Sequence, residues 1–371
     1  MSDKIGLSAA GRALVARLRV PQEAAALPGD PPPDLIDAML RHGLLERQGE
    51  TVSPLDLQDT FVSWASQRGM LLDHTRTLAF QNAIKALTRP GDRVIDVGTG
   101  SGILAMTAAR AGAAEAIGLE LTAMADWAET LAAQNGLDNM RIERGDAASY
   151  AAPGPADLVM GEFAGMFLLE EWRHYAAFCA VRDQNLRPGG QVLPRAARMY
   201  LSAMDSRKLY LVRGYGFWEA PVHGFDFSPV RAAEIARPRR SIVSADPNNV
   251  IDTARIAAFD FLTGNERDYV FTSEVTFRYG AAGKFHGVAG HFELDMAPGQ
   301  VLSTGPFDHE TCWHQSYFPL PAFDVPAGGE VALRTRTFLD DDAGTLHLAL
   351  AVAPPGDRLG PDTPEHVFTL E

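Results

Sequence analysis

The sequence predicts a doubly wound α/β domain followed by an antiparallel β-domain, with a small module ahead of both. Two observations carry this reading. Between about residues 56 and 193, short apolar runs alternate with helical stretches, the pattern of a parallel sheet flanked by helices. From about residue 194 the period changes to two, in runs bounded by Gly, Pro and Asp, as in an antiparallel sheet, barrel or sandwich. A chain of 371 residues has room for two domains and one smaller module.

Residues 1–55 read as short helices, SAAGRALVARL and PPDLIDAMLRHGLLERQ, split by the turn-rich PGDPPP. They suggest a small helical or winged-helix-like module whose role the sequence does not reveal. In the α/β region, RVIDVG reads as a buried strand and GILAMTAARAG as a helix. EAIGLE follows as a strand, MADWAETLAAQNG as a helix, MRIERGD and ADLVMGE as strands. EEWRHYAAFCAVRDQNL is then a helix, and LRPGGQVLP turns into a fifth strand. Beyond 194, DYVFTSEVTFRYG, GVAGHFELDM, EVALRTRTFL and TLHLALAV alternate as strands, with DDDAG as a hairpin connection.

Composition narrows the function classes. The net charge of -14 favours cationic ligands and argues against nonspecific nucleic-acid binding. Two cysteines, Cys179 and Cys312, form no disulfide framework and no cysteine-rich zinc site, so no metal is expected. No apolar run spans a bilayer and the N-terminus lacks a signal-peptide pattern, so a cytoplasmic protein without membrane partners is expected.

The sharpest motif is Asp96-Val97-Gly98-Thr99-Gly100-Ser101-Gly102, between a strand and a helix. Glycines at 98, 100 and 102 permit a tight turn and let the backbone lie against a ligand. A dinucleotide fingerprint would be G-x-G-x-x-G with pyrophosphate at the helix N-terminus. The G-x-G-x-G spacing, led by an acid, suits a ligand without phosphates whose ammonium Asp96 holds directly or through water. Glu120 ends the second strand, where a carboxylate can accept ribose hydroxyls. Asp146, after the third strand, is placed to approach an adenine amino group. Each alone is more often a solvated strand-end acid; their order after three successive strands makes the nucleoside reading.

At the end of the fourth strand, Gly161-Glu162-Phe163-Ala164-Gly165-Met166-Phe167-Leu168-Leu169-Glu170-Glu171 brackets an apolar loop with carboxylates. Folded back, it would turn two acids toward one cavity at the carboxyl end of the sheet. A guanidinium, planar and always charged, is the matching ligand. Two acids can draw its charge aside so that a terminal nitrogen recovers lone-pair character. Each charge-assisted contact is worth roughly 1.5–3 kcal/mol, and positioning adds more to rate. Alternatively, Glu162 caps the loop while Glu170 and Glu171 serve a helix N-terminus.

From about Phe61 to the C-terminus these residues resemble the protein arginine methyltransferase family. VIDVGTGSGIL is similar to its cofactor loop, and GEFAGMFLLEEW to its double-glutamate loop, in the register that selects Glu162 and Glu171 over Glu170. MLLDHTRTLAFQNAI resembles the helix that covers the cofactor. The resemblance implies that Arg76 grips the cofactor carboxylate and that Met70 lines the acceptor pocket. FVSW resembles an upstream aromatic motif, with Trp64 where the family usually has tyrosine. GPFDHETCWHQS takes the place of the family's threonine-histidine-tryptophan loop, which brings Cys312 and Trp313 to the pocket. HGFDFSPV matches the segment after the dimerisation arm. The implied architecture is a Rossmann-like domain (56–193) and a β-barrel domain (194–371). A helical arm at about 206–245 would make a homodimer. The implied cofactor is S-adenosylmethionine, leaving S-adenosylhomocysteine, and the acceptor is arginine, free or within a peptide or protein.

The chain departs from the family pattern at three places. Cys312 replaces the loop histidine, so its usual pairing with the acid of the covering helix, here Asp73, is expected to be lost unless His314 substitutes. Arg173 stands where many members keep methionine, and would shrink the pocket or pair with the carboxylate of free arginine. Ala148 takes a family glutamate position, leaving Asp146 for the adenine. Two other readings stay open: a methyltransferase for another guanidine or amine metabolite, and a catalytically silent binding scaffold.

Overall fold

The computed structural model describes residues 63–165, 167–231, 246–340 and 345–370, with short stretches at 22–23, 45–48, 51–54, 235–236, 238–241 and 243. The chain divides into two units, Met1–Arg68 and Gly69–Glu371. In the first, strands Gln22–Glu23, Leu45–Gln48 and Thr51–Pro54 form a small antiparallel sheet with the last in the middle. Leu45–Gln48, read above as the tail of a helix, is therefore a strand. The other helical expectations for residues 1–55 lie outside the described residues.

In the second unit the alternation becomes five parallel strands: β1 Arg93–Val97, β2 Glu115–Glu120, β3 Met140–Arg144, β4 Ala156–Gly161 and β5 Leu186–Leu193. Their spatial order is β3-β2-β1-β4-β5, so the winding reverses between β1 and β4. Val94–Val97 are all buried, as a strand covered on both faces requires. The crossovers are α3 Ile103–Arg110, α4 Met124–Gln134 and α5 Trp172–Asn185. Ahead of the sheet, α1 Trp64–Leu72 and α2 His74–Leu87 are separated by Asp73, whose side chain accepts from Arg76 N and so starts α2.

The antiparallel half begins at β6 Ala196–Met204 and continues through β7 Arg239–Ser241, β8 Val250–Asp260 and β9 Thr272–Arg278. It then runs through β10 Gly283–Phe285, β11 Val288–Ala297, β12 Gln300–Ser303, β13 Gln315–Phe318 and β14 Phe323–Val325. β15 Glu330–Asp340, β16 Thr345–Ala353 and β17 Glu365–Leu370 complete it. One sheet has the order β7-β13-β11-β6-β8 with β12 on β11, a second β9-β15-β16-β17, and β10 pairs with β14. In β15, Val331, Leu333, Thr335 and Thr337 are buried and their neighbours less so, the alternation read from EVALRTRTFL. The expected turn DDDAG lies mostly outside the described residues, although Asp340 pairs with Thr345 across it. Between β6 and β7 an excursion carries helix α6 Arg207–Arg213, capped by Ser206. One apolar core runs through both halves of this unit, from Val94 and Ile117 to Phe292 and Leu350.

Candidate active site

The glycine loop leaves β1 and turns directly into α3. Gly98, Gly100 and Gly102 have φ of 70°, 54° and 80°, a region that a Cβ makes costly. Thr99 N donates to Leu119 O at 2.9 Å, pinning the loop across β2. Asp96 is 1% exposed; its Oδ2 accepts from Thr99 Oγ1 at 2.6 Å and Ala105 N at 3.2 Å. Its Oδ1 is buried without a hydrogen-bond partner among the described residues. Burial pushes the Asp96 carboxyl up to about 7, with Glu120 and Glu162 adding to it and the two hydrogen bonds opposing.

Glu120, also buried, accepts from Gly100 N at 2.8 Å and from Thr122 N at 2.9 Å, one on each oxygen. Each oxygen keeps a further lone pair. Asp146 is exposed and accepts from Ala148 N at 3.0 Å as the cap of a short 3-10 turn. These three acids stand at the carboxyl ends of β1, β2 and β3, as the sequence predicted. The buried Asp96 oxygen left open beside a glycine turn fits the ammonium of an amino acid joined through sulfur to a nucleoside, and Glu120 keeps acceptor sites for a ribose.

Glu162 follows the last residue of β4, whose Gly161 pairs with Val97, so it stands where the winding reverses. Its Oε1 accepts from Ala164 N at 2.9 Å. Its Oε2 accepts from Arg76 Nη2 at 2.7 Å and Nε at 3.1 Å. Arg76 is buried, donates Nη1 to Met70 O at 3.2 Å, and lies 5.6 Å from the Trp313 ring centroid. Although burial opposes its charge, Glu162 raises the Arg76 guanidinium further. Arg76, read as a cofactor ligand, is therefore also tied to the first glutamate.

The loop does fold back. Gly165 has φ 53°, and a Cβ there would lie 2.8 Å from Glu171 Cγ and 3.6 Å from Glu170 Oε2. Glu171 precedes α5, and its carboxylate pairs with His174 Nδ1. Met166 lies outside the described residues. The loop is seated by its aromatics: Phe163 packs on Tyr175, Phe178 and Phe261 at 5.3, 4.8 and 5.2 Å. Phe167 fits over Gly290 of β11, where a Cβ would come within 2.7 Å of its ring.

Asp73 corrects one expectation. Its link to the C-terminal loop is kept through the main chain: Oδ2 accepts from Cys312 N at 2.6 Å while Oδ1 holds Arg76 N at 2.9 Å. His314 Nδ1 lies 3.1 Å from a Glu310 oxygen. The Cys312 thiol is pushed up to about 12 by burial against the pull of Arg76, so it stays neutral. Arg173 is exposed with its guanidinium over the Trp172 ring at 5.5 Å. Trp64, the first residue of α1, is 38% exposed and belongs to the first unit. The structure thus gathers Met70, Arg76, Glu162 and Trp313 with Cys312, and leaves Arg173 outward. Reasoning from sequence missed Phe167 and Gly290; a phenylalanine inside a polar-flanked loop was the available signal.

A family model described as arginine methyltransferase oligomerization subdomain matches residues 195–338. Another, described as ribosomal protein L11 methyltransferase (PrmA), matches residues 73–162. Protein arginine N-methyltransferase 1 of Dictyostelium discoideum is 30% identical over 266 residues, which cover 70% of this chain and 76% of that protein. The chain belongs to the protein arginine N-methyltransferase family. The family's enzyme 1 from Schizosaccharomyces pombe is likewise 30% identical, over 70% of this chain and 77% of its own. Among solved structures, the Trypanosoma brucei PRMT1 enzyme-prozyme heterotetrameric complex with AdoHcy superposes with a TM-score of 0.77 at 26% identity. It covers 84% of this chain and 100% of that chain. Arabidopsis thaliana protein arginine methyltransferase 10, at 22% identity and TM-score 0.70, shares the fold over 84% of this chain and 99% of that chain. Among the described residues, no helix is long and apolar enough to cross a membrane, and no cluster of His, Cys, Asp or Glu could hold a metal.

Proposed function

We propose that this family member uses S-adenosylmethionine to methylate the guanidino group of arginine in a peptide or protein. The observation that carries this is the folded-back loop, which brings Glu171 against Gly165 while Glu162 stands at the reversal point beside Asp96. The cofactor supplies an electrophilic methyl group on a sulfonium. Asp96, Glu120 and Asp146 would hold its ammonium, ribose and adenine. Glu162 and Glu171 would take the guanidinium from two sides, orient one terminal nitrogen and polarise charge away from it. Arg76, Met70, Trp313 and the Asp73 clamp would close the cavity over the reacting groups. The free-arginine reading rested on Arg173 as a carboxylate partner; its exposed place over Trp172 favours the peptide reading.

The test is methyl transfer from S-adenosylmethionine, read by mass spectrometry, with arginine-rich peptides and free arginine offered in parallel. Methylated peptides are expected; methylation of free arginine alone would overturn the peptide reading. No methylation of either, with the cofactor bound, would overturn the arginine reading.

Cofactor binding should depend on pH through Asp96. Its folded-state value is raised from 3.8 to about 7, so the neutral form prevails below 7 and any stability it confers is lost as pH rises. A bound ammonium favours the carboxylate, so binding releases a proton in this range. Affinity for S-adenosylhomocysteine is therefore expected to fall on acidification below pH 7, by at most about tenfold per unit. Calorimetry at pH 6 in buffers of different ionisation enthalpy should show the released proton, and Asp96→Asn should abolish it.

We also propose a homodimer through the segment at about 206–245. Val212, Phe217, Phe225, Phe227 and Val230 are exposed there, more apolar side chain than one short surface stretch of a monomer usually presents. Val212→Asp with Phe225→Asp is expected to halve the mass by light scattering; a wild-type monomer would refute the proposal.

A further inference from the structure

The two glutamates of the acceptor loop are held by groups of different kinds. Glu162 is fixed on both oxygens by donors that do not titrate near neutrality. Ala164 N holds Oε1 at 2.9 Å, and the Arg76 guanidinium holds Oε2 at 2.7 and 3.1 Å. Glu171 has a titratable neighbour instead: its Oε2 meets Nδ1 of His174, side chain against side chain. Among the described residues no second hydrogen bond reaches the Glu171 carboxylate.

The helix end does not account for this pair. Glu171 is the cap residue of α5, yet its side chain makes no capping bond. Two charged side chains three residues apart on a helix surface contribute little, because water competes for both. Only one member of this pair faces water: the His174 side chain is 57% exposed and that of Glu171 16%. An enclosed carboxylate takes its orientation from the donors that the protein supplies. Other charged groups near α5 are Glu170 and Arg173 beside the pair, and Glu266, Arg267 and Asp268 on the 3-10 turn Glu266–Tyr269 packed against the helix. They are of both signs, whereas the contact of the imidazole is with Glu171.

We propose that His174 is a positioning residue of the acceptor site: its Nδ1–H holds Oε2 of Glu171, leaves Oε1 for the guanidinium, and makes this half of the clamp sensitive to pH. The proposal rests on the arginine reading of the site. Orientation matters because a planar fork of N–H groups tolerates little rotation of its partner. Beside a neutral imidazole, Glu171 keeps its whole charge for the acceptor. A protonated imidazole competes with the guanidinium for one carboxylate, so each cation weakens the binding of the other. Histidine is the side chain that makes this change close to neutral pH. Nothing comparable can happen at Glu162, whose partners keep their charge.

The test compares His174→Ala, which removes the donor, with His174→Asn, which places an amide N–H where Nδ1 stands and does not titrate. At pH 8, kcat/KM for an arginine peptide is expected to fall about tenfold in His174→Ala, the scale of one hydrogen bond to a charged group. In His174→Asn it should stay within about threefold of the wild type. The second readout is peptide affinity under saturating S-adenosylhomocysteine, which keeps the proton on Asp96 out of the measurement. Wild-type affinity should weaken between pH 8 and pH 6, by at most about tenfold per unit, and His174→Asn should lack that loss. Equal kinetics and equal pH dependence in all three proteins would overturn the proposal and leave an ordinary surface pair. His174→Asn as slow as His174→Ala would overturn it too, because the N–H would not be what matters. A parallel fall in S-adenosylhomocysteine affinity or melting temperature would also overturn it, since the effect would then be general. Failure of the wild type on every arginine acceptor would instead be a failure of the arginine reading, and this assignment would fall with it.

Discussion

Glu171→Gln is expected to lower methyl transfer to an arginine peptide by about a hundredfold or more, the effect of removing a preorganised charge from the reacting centre. The affinity for S-adenosylhomocysteine should stay within twofold. Glu171 faces Gly165 and pairs with His174, and among the described residues no hydrogen bond joins it to Asp96, Glu120 or Asp146. Glu162→Gln should behave differently. Glu162 is the partner of a buried guanidinium, Arg76, and removing one member of such a pair costs about 3–5 kcal/mol. This variant should lose activity, melting temperature and cofactor affinity together. Calorimetric binding and thermal melts on both variants separate the two roles. Unchanged turnover in Glu171→Gln would remove the clamp from the mechanism.

The second large effect is expected at Gly165. A side chain at φ 53° costs about 1–2 kcal/mol in the backbone alone. Here the added Cβ would also press on Glu171 Cγ at 2.8 Å and push the second glutamate out of line. Gly165→Ala should therefore lose about ten- to a hundredfold in kcat/KM, the scale of a misplaced reacting group. Gly91→Ala is the comparison. Gly91 also has a positive φ, of 98°, but open space where its Cβ would go and no place in the site. Denaturant unfolding should show a similar backbone cost in both, while only Gly165→Ala loses turnover. Equal activities would mean that the loop does not set the position of Glu171.

Much of the fold was legible because each element announces itself locally. Val94–Val97 form an unbroken apolar run between a turn and a glycine loop, and strand β1 lies there. β6 and β8 were not recognised, although they pair along most of their length. β8 buries only Ile256 and Phe259, three residues apart, so its burial does not alternate cleanly and period two fails as a signal. The acids at strand ends were found because their chemistry depends on order along the chain. Contacts between distant segments were not, because nothing local marks them. Asp73 reaching the amide of Cys312 joins residues 239 apart. A main-chain donor is supplied by almost any residue, so a cysteine at 312 holds this link as well as the histidine that the resemblance led one to expect. The Arg76–Glu162 pair is likewise invisible to motif reading, which assigns each residue one ligand.

The seat of the acceptor loop has an evolutionary consequence. The loop belongs by sequence to the parallel half, yet Phe167 rests on Gly290 and Phe163 on Phe261 of the antiparallel half. The match to a methyltransferase family of another name ends at residue 162, one residue before that seating begins. The segment up to Glu162 is thus matched by a second methyltransferase family, whereas the loop after it is seated on both halves of this chain. A new acceptor loop grafted after Glu162 would need compensating changes at 261 and 290 to take hold.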